Sequence, residues 1–190
     1  MGKWIVKLFI GKVEVKGKMP KGQYIIASNH PRELDAWVLD YVFPHLRIMA
    51  ADSVMGWFGV ILPRGCFTAK NGIQNALDLI NQGHSIGICP SGWTELTGNE
   101  LPWKTGVVVI ADKAKLPIYL VKLEYAALRG GWVNKFPSVI QWAIDLVIPR
   151  KRGITVHISQ LPFELGSAIL ETRKQYQVVA EYLKNENSRM

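Results

Sequence analysis

A histidine and an aspartate five residues apart, His30 and Asp35, are the pair in this chain best suited to move a proton. They lie in Ser28-Asn29-His30-Pro31-Arg32-Glu33-Leu34-Asp35, after a short apolar run of strand type. The residues that follow place Trp37, Val38, Tyr41 and Val42 at helical spacing. Pro31 suits a first helical position, where its missing N–H costs nothing, and Glu33 suits a first turn. Inside one helix, two residues five apart point about 140° away from each other at ~3.6 residues per turn. With His30 outside the helix, at its cap, the ring can instead fold over the first turn and meet the Asp35 carboxylate. Such a contact fixes one tautomer and leaves the other ring nitrogen to take a proton from a hydroxyl. This is the base and the orienter of a triad without a nucleophile of its own, so the nucleophile has to be the substrate. The competing reading of the spacing alone is a capping histidine followed by one more solvated acid.

The elements that would hold this pair alternate along the chain. Apolar periodicity predicts strands at 12–17, 24–28, 47–51, 85–89, 117–124 and 154–159. Helices are predicted at 31–42, 71–82, 105–114 and 136–148, with a short one capped by Ser53 and a closing amphipathic one at 166–187. In the helix at 71–82 the buried stripe is Ile73, Ala76, Leu77 and Ile80, and Gly83 is its stop. In the closing helix the stripe is Ile169, Tyr176, Val179 and Leu183. Strands separated by helices imply an α/β fold, a mostly parallel sheet covered by helices on both faces. With no linker or internal repeat in its 190 residues, the chain reads as a single domain. In such sheets sites form at the carboxyl ends of the strands.

Composition excludes several classes. Hydrophobic residues make up 48% and charged residues 20%, as in a folded globular protein. Two cysteines, Cys66 and Cys89, are too few for a disulfide framework and read as reduced, Cys89 as a packing residue. His45, His84 and His157 have no metal-ligand spacing with them, so neither a metal nor a resident cofactor is expected. The net charge of +8 is concentrated early: Lys3, Lys7, Lys12, Lys16, Lys18 and Lys21 face one acid, Glu14. Residues 1–10 form a basic, Trp4-containing amphipathic segment, too short in its apolar runs to span a bilayer and lacking a signal-peptide pattern. A second basic, aromatic stretch runs from Arg129 through Trp132 and Trp142 to Arg152. Both suit an anionic membrane surface, which predicts a cytoplasmic protein held peripherally on a membrane. No stacking platform or nucleic-acid motif is present, so no nucleic-acid partner is expected.

The Asn-His-x-x-x-x-Asp run after a strand resembles the first block of the glycerolipid acyltransferases, the glycerol-3-phosphate and 1-acylglycerol-3-phosphate enzymes. Three further blocks follow in the family's order. Gly59-Val-Ile-Leu-Pro-Arg64 is similar to its glycine and arginine. Pro90-Ser91-Gly92-Trp93-Thr94-Glu95 stands where the family has Pro-Glu-Gly-Thr-Arg-Ser, and Lys104 and Gly106 match a basic residue and a glycine opening a helix. Leu116-Pro117-Ile118 matches a proline-led strand. The third block is a variant: Ser91 replaces the acid, Thr94 replaces the arginine, and Glu95 follows. This Pro-x-Gly-x-x-Glu pattern is closer to branches of the family that acylate neutral lipids.

The resemblance implies an acyltransferase that moves a fatty acyl group from acyl-coenzyme A or acyl carrier protein to a lipid acceptor, a lysophospholipid or glycerol phosphate. It makes His30 the general base and Asp35 its orienting partner. Arg64 and Lys104 would hold the acceptor phosphate or anionic groups of the donor. Pro90, Ser91 and Gly92 would form the substrate loop, Glu95 would hold an acceptor hydroxyl or a basic group, and backbone amides near Gly92 or a helix start would meet the oxyanion. Two alternatives stay open: a neutral or amine-containing acceptor, and a non-catalytic membrane-surface module of the same fold.

Overall fold

The computed structural model describes residues 6, 10–31, 34–51, 65–92, 102–125, 153–159 and 173–190. Their elements are, in order, β1 (Val13–Lys16), β2 (Ile25–Ser28), α1 (Asp35–Val42), β3 (Arg47–Ala50) and β4 (Cys66–Thr68). There follow α2 (Gly72–Asn81), β5 (Ile86–Ile88), α3 (Gly106–Ala114), β6 (Ile118–Tyr125), β7 (Ile154–Ile158) and α4 (Arg173–Arg189). The described strands form one seven-stranded sheet in the order β1-β7-β6-β2-β5-β3-β4.

Strand β2 lies inside this sheet, parallel to β5 on one side and to β6 on the other, with Ile25 opposite both Ile86 and Ile118. All four of its residues are buried. Side chains alternate across the sheet, so Ile26 joins Trp37, Val38, Leu39 and Val42 of α1. Ile25 and Ala27 turn the other way, towards Ala76 and Ile80 of α2, Val107 and Ile110 of α3, and Leu183 of α4. A strand covered on both faces has to be apolar throughout, which is why it reads as a continuous run. Val6 and Ile10 of the basic N-terminal segment are themselves buried in the α1 cluster.

The architecture is the α/β one expected, with four differences that bear on the site. Helix α1 begins at Asp35 with Leu34 as its N-cap, not at Pro31; the amides of Trp37 and Val38 donate to Leu34 O at 3.0 and 3.2 Å. Strand β4, three residues paired with β3, is an element the sequence reading omits. Strand β7 runs antiparallel to β6 while pairing in parallel with β1. Strand β6 extends one residue further than expected, to Tyr125. On α2, Ile73 is exposed while Ala76 and Ile80 are buried, so its stripe is narrower than its spacing suggests. On α4, Leu183 and Ala180 are fully buried and Tyr176 and Val179 pack partly against them. The helices expected after Ser53 and at 136–148, the stretch from Arg129 to Arg152, Ile169, and residues 1–5 and 7–9 lie outside the described residues.

Candidate active site

His30 sits two residues beyond the end of β2, on a turn tied to the neighbouring strand. The Asn29 side chain makes that tie: its Oδ1 accepts from the Leu123 N–H at 2.7 Å and its Nδ2 donates to Leu123 O at 3.1 Å. The amide thus stands in for a backbone unit and continues the β2–β6 ladder where β2 itself has ended. On the other side, the Cys89 thiol points at Asn29 O from 3.9 Å, so the ends of β2 and β5 also meet.

Asp35 is the first residue of α1 and is fully buried. A carboxylate out of water needs partners, and helix N-termini favour negative charge. Its Oδ2 lies 2.9 Å from His30 Nδ1. An ionised carboxylate only accepts hydrogen bonds, so Nδ1 is the donor and, in the neutral ring, Nε2 carries the lone pair. Its Oδ1 accepts from the Tyr125 hydroxyl at 2.5 Å. The His30 side chain is 23% exposed while Asp35 is 0% exposed. An accessible imidazole backed by a buried carboxylate that is hydrogen-bonded through both oxygens is an arrangement that can take a proton from a hydroxyl brought to it.

The loop after β5 forms a neighbouring wall. Pro90 and Ser91 are buried, and Gly92 turns the chain with φ +73°, a conformation that disfavours a side chain. The Lys104 N–H donates to Pro90 O at 3.0 Å, and the Lys104 side chain lies directly against Gly92. The structure therefore brings Gly92 and Lys104 together, beside the strand that precedes His30. The Gly92 N–H donates to Cys89 O at 3.0 Å, so this amide is committed to the turn and a donor for an oxyanion has to come from another group. Arg64, Thr94 and Glu95 lie outside the described residues.

Cys66 is a poor nucleophile to stand in place of the substrate. Burial pushes the Cys66 thiol up to about 12, with the Asp40 charge adding to the effect. Cys89 is half buried against the α1 cluster.

Two residues of this site carry no role in the sequence reading, Asn29 and Tyr125. Asn29 stands inside the first block, but its partner is 94 residues away. For Tyr125 a signal was present: Tyr119, Val121, Leu123 and Tyr125 alternate along β6 and all belong to the α1 face. That pattern gives the face and not the partner.

The family model described as Acyltransferase matches residues 12–123. The 1-acyl-sn-glycerol-3-phosphate acyltransferase of Saccharomyces cerevisiae is 29% identical over 60% of this chain. The chain spans 44% of that relative's length. The crystal structure of the 1-acyl-sn-glycerophosphate (LPA) acyltransferase PlsC from Thermotoga maritima superposes with a TM-score of 0.65 at 17% identity, covering 99% of this chain and 76% of that one, a likeness of fold. With the family model covering more than half of its residues, including the His30 turn and β6 as far as Leu123, the chain belongs to the acyltransferase family.

Proposed function

We propose that this protein transfers a fatty acyl group from a thioester, on coenzyme A or acyl carrier protein, to a hydroxyl of a lysophospholipid or glycerol phosphate. The observation that carries the reading is the His30–Asp35 contact, an accessible imidazole held by a buried carboxylate at the carboxyl ends of the inner strands. His30 Nε2 takes the acceptor hydroxyl proton as the oxygen attacks the thioester carbonyl. The new C–O bond forms, the tetrahedral intermediate collapses with cleavage of the C–S bond, and the imidazolium returns its proton to the leaving thiolate. Asp35 keeps the ring in the Nδ1–H tautomer and stabilises the cation formed midway. Lys104 and Arg64 are the cations assigned to the acceptor phosphate or to anionic groups of the donor. Pro90, Ser91 and Gly92 shape the loop against which the Lys104 side chain lies.

One sequence observation favours a second acceptor class. Thr94 stands in place of a phosphate-holding arginine and Glu95 follows it, a set better suited to gripping a neutral hydroxyl. The protein would work at a membrane surface: Lys12, Lys16, Lys18 and Lys21 are exposed, with Val15 and Met19 exposed among them. Among the described residues no helix is long and apolar enough to cross a membrane.

Incubating the protein with palmitoyl-coenzyme A and measuring free thiol, with lysophosphatidate or monoacylglycerol added, tests the reading. Thiol release that depends on an acceptor, with the acylated acceptor found by mass spectrometry, is the expected result. Absence of acceptor-dependent release from either donor, the acyl carrier protein thioester included, would refute it.

A further inference from the structure

We infer that Tyr125 is a positioning residue for the His30–Asp35 pair, holding the carboxylate in the one rotation that serves the imidazole. This rests on the proposed reaction. A carboxylate on the first residue of a helix can turn about its Cβ–Cγ bond, and a hydrogen bond at one oxygen does less to stop it than hydrogen bonds at both. The Tyr125 hydroxyl engages Oδ1 on the side opposite His30, so the two hydrogen bonds together fix the carboxylate plane.

The position of Tyr125 is itself set from both sides. It pairs with Ile154 of β7 in the antiparallel ladder, and its ring packs partly into the α1 cluster. Two residues earlier, Leu123 gives its backbone N–H and C=O to Asn29. The end of β6 therefore grips the turn before His30 through Leu123 and the start of α1 through Tyr125. Strand β6 fixes the separation of the base from its orienter, two groups that belong to different elements.

The test uses the thiol-release assay on the full chain with palmitoyl-coenzyme A and lysophosphatidate, in a double-mutant cycle of Tyr125→Phe and Asp35→Ala. Hydrogen bonds to charged groups are typically worth 1.5–3 kcal/mol, so Tyr125→Phe is expected to lower kcat about ten- to hundredfold. The KM of both substrates should stay within about twofold of wild type. In the Asp35→Ala background the same change should have no further effect, because the group it positions is gone. Tyr125→Gln, which keeps a donor, should recover part of the rate that Tyr125→Met does not. This second comparison also decides the matter if the Phe variant fails to fold. An equal loss from Tyr125→Phe in both backgrounds, or equal rates for Gln and Met, would overturn the positioning role. So would unchanged kcat in Tyr125→Phe while His30→Ala abolishes turnover, an outcome that leaves the reaction standing. Full turnover in His30→Ala would refute the reaction, and this role with it.

Discussion

Gly92 and Lys104 compete for one space. A Cβ built on residue 92 would fall 2.6 Å from Lys104 Nζ and 3.3 Å from its Cε. The backbone there, at φ +73°, is one that side chains rarely adopt. The glycine therefore does two things at once, closing the turn after β5 and letting the ammonium lie across it.

Gly92→Ala is expected to displace the Lys104 head and to strain the turn by about 1 kcal/mol. The protein should fold, with a melting temperature lowered by about 2–4 °C. If Lys104 holds an acceptor phosphate, the KM of that acceptor should rise several-fold in Gly92→Ala and no further in Gly92→Ala combined with Lys104→Ala. Steady-state kinetics of the two single variants and the double variant check this; additive effects would show that Gly92→Ala does not act through Lys104, and an unchanged KM in Lys104→Ala would place Lys104 outside the site.

Asn29→Ala removes both hydrogen bonds to Leu123 and leaves a backbone N–H and C=O at the end of β6 without those partners. A loss of about 1–3 kcal/mol is expected, measured as a shift of the denaturant midpoint. Turnover should fall by a larger factor than the change in folded fraction explains, because His30 is the next residue along the chain. A stable variant with unaltered turnover would show that the turn holds its shape without this tie.

Much of this was legible from local patterning. The apolar run at 24–28 and the alternation in 154–159 report burial by neighbouring elements, and both became strands. Pro31 misplaced the start of α1, since a proline permits a helix N-terminus there without requiring one; Leu34 caps the helix instead. Strand β4 was missed because three residues, Cys66–Thr68, are too few to show a period. The direction of β7 is set by a connection between distant strands, on which local apolar spacing is silent. The His30–Asp35 pair is visible because its members stand five apart, whereas the Tyr125–Asp35 bond spans a separation of 90 residues and comes only with the fold.

The proposed reaction assigns the choice of acceptor to residues of the second and third blocks. A phosphate monoester carries nearly two negative charges and calls for convergent cations. With such an acceptor, Arg64→Ala should raise its KM strongly, and inorganic phosphate should compete. With a neutral acceptor, phosphate should not inhibit and Glu95→Gln should do more damage than Arg64→Ala. Kinetics of these two variants on lysophosphatidate and monoacylglycerol separate the outcomes.

The proposed membrane attachment should be electrostatic in part. Lysines near an anionic leaflet contribute about 1 kcal/mol each. Replacing Lys16, Lys18 and Lys21 by Gln is expected to weaken binding to phosphatidylserine-containing vesicles about a hundredfold. Rising salt should act in the same direction, since charges are screened beyond about 8 Å at physiological ionic strength. Vesicle co-sedimentation reads both effects. These three residues are a better probe than deletion of residues 1–10, because Val6 and Ile10 are buried in the core and their loss would open it. Binding that ignores both salt and the lysines would point to an apolar anchor instead.

The most direct test of the account is the turnover of His30→Ala, measured as acceptor-dependent thiol release from palmitoyl-coenzyme A, with circular dichroism confirming the fold. General-base catalysis typically supplies ~10² to 10⁴ in rate, and a loss of at least that size is predicted. Asp35→Asn should also lose rate, because an amide can present the wrong partner to the ring. A folded His30→Ala protein that turns over at close to the wild-type rate would contradict the mechanism.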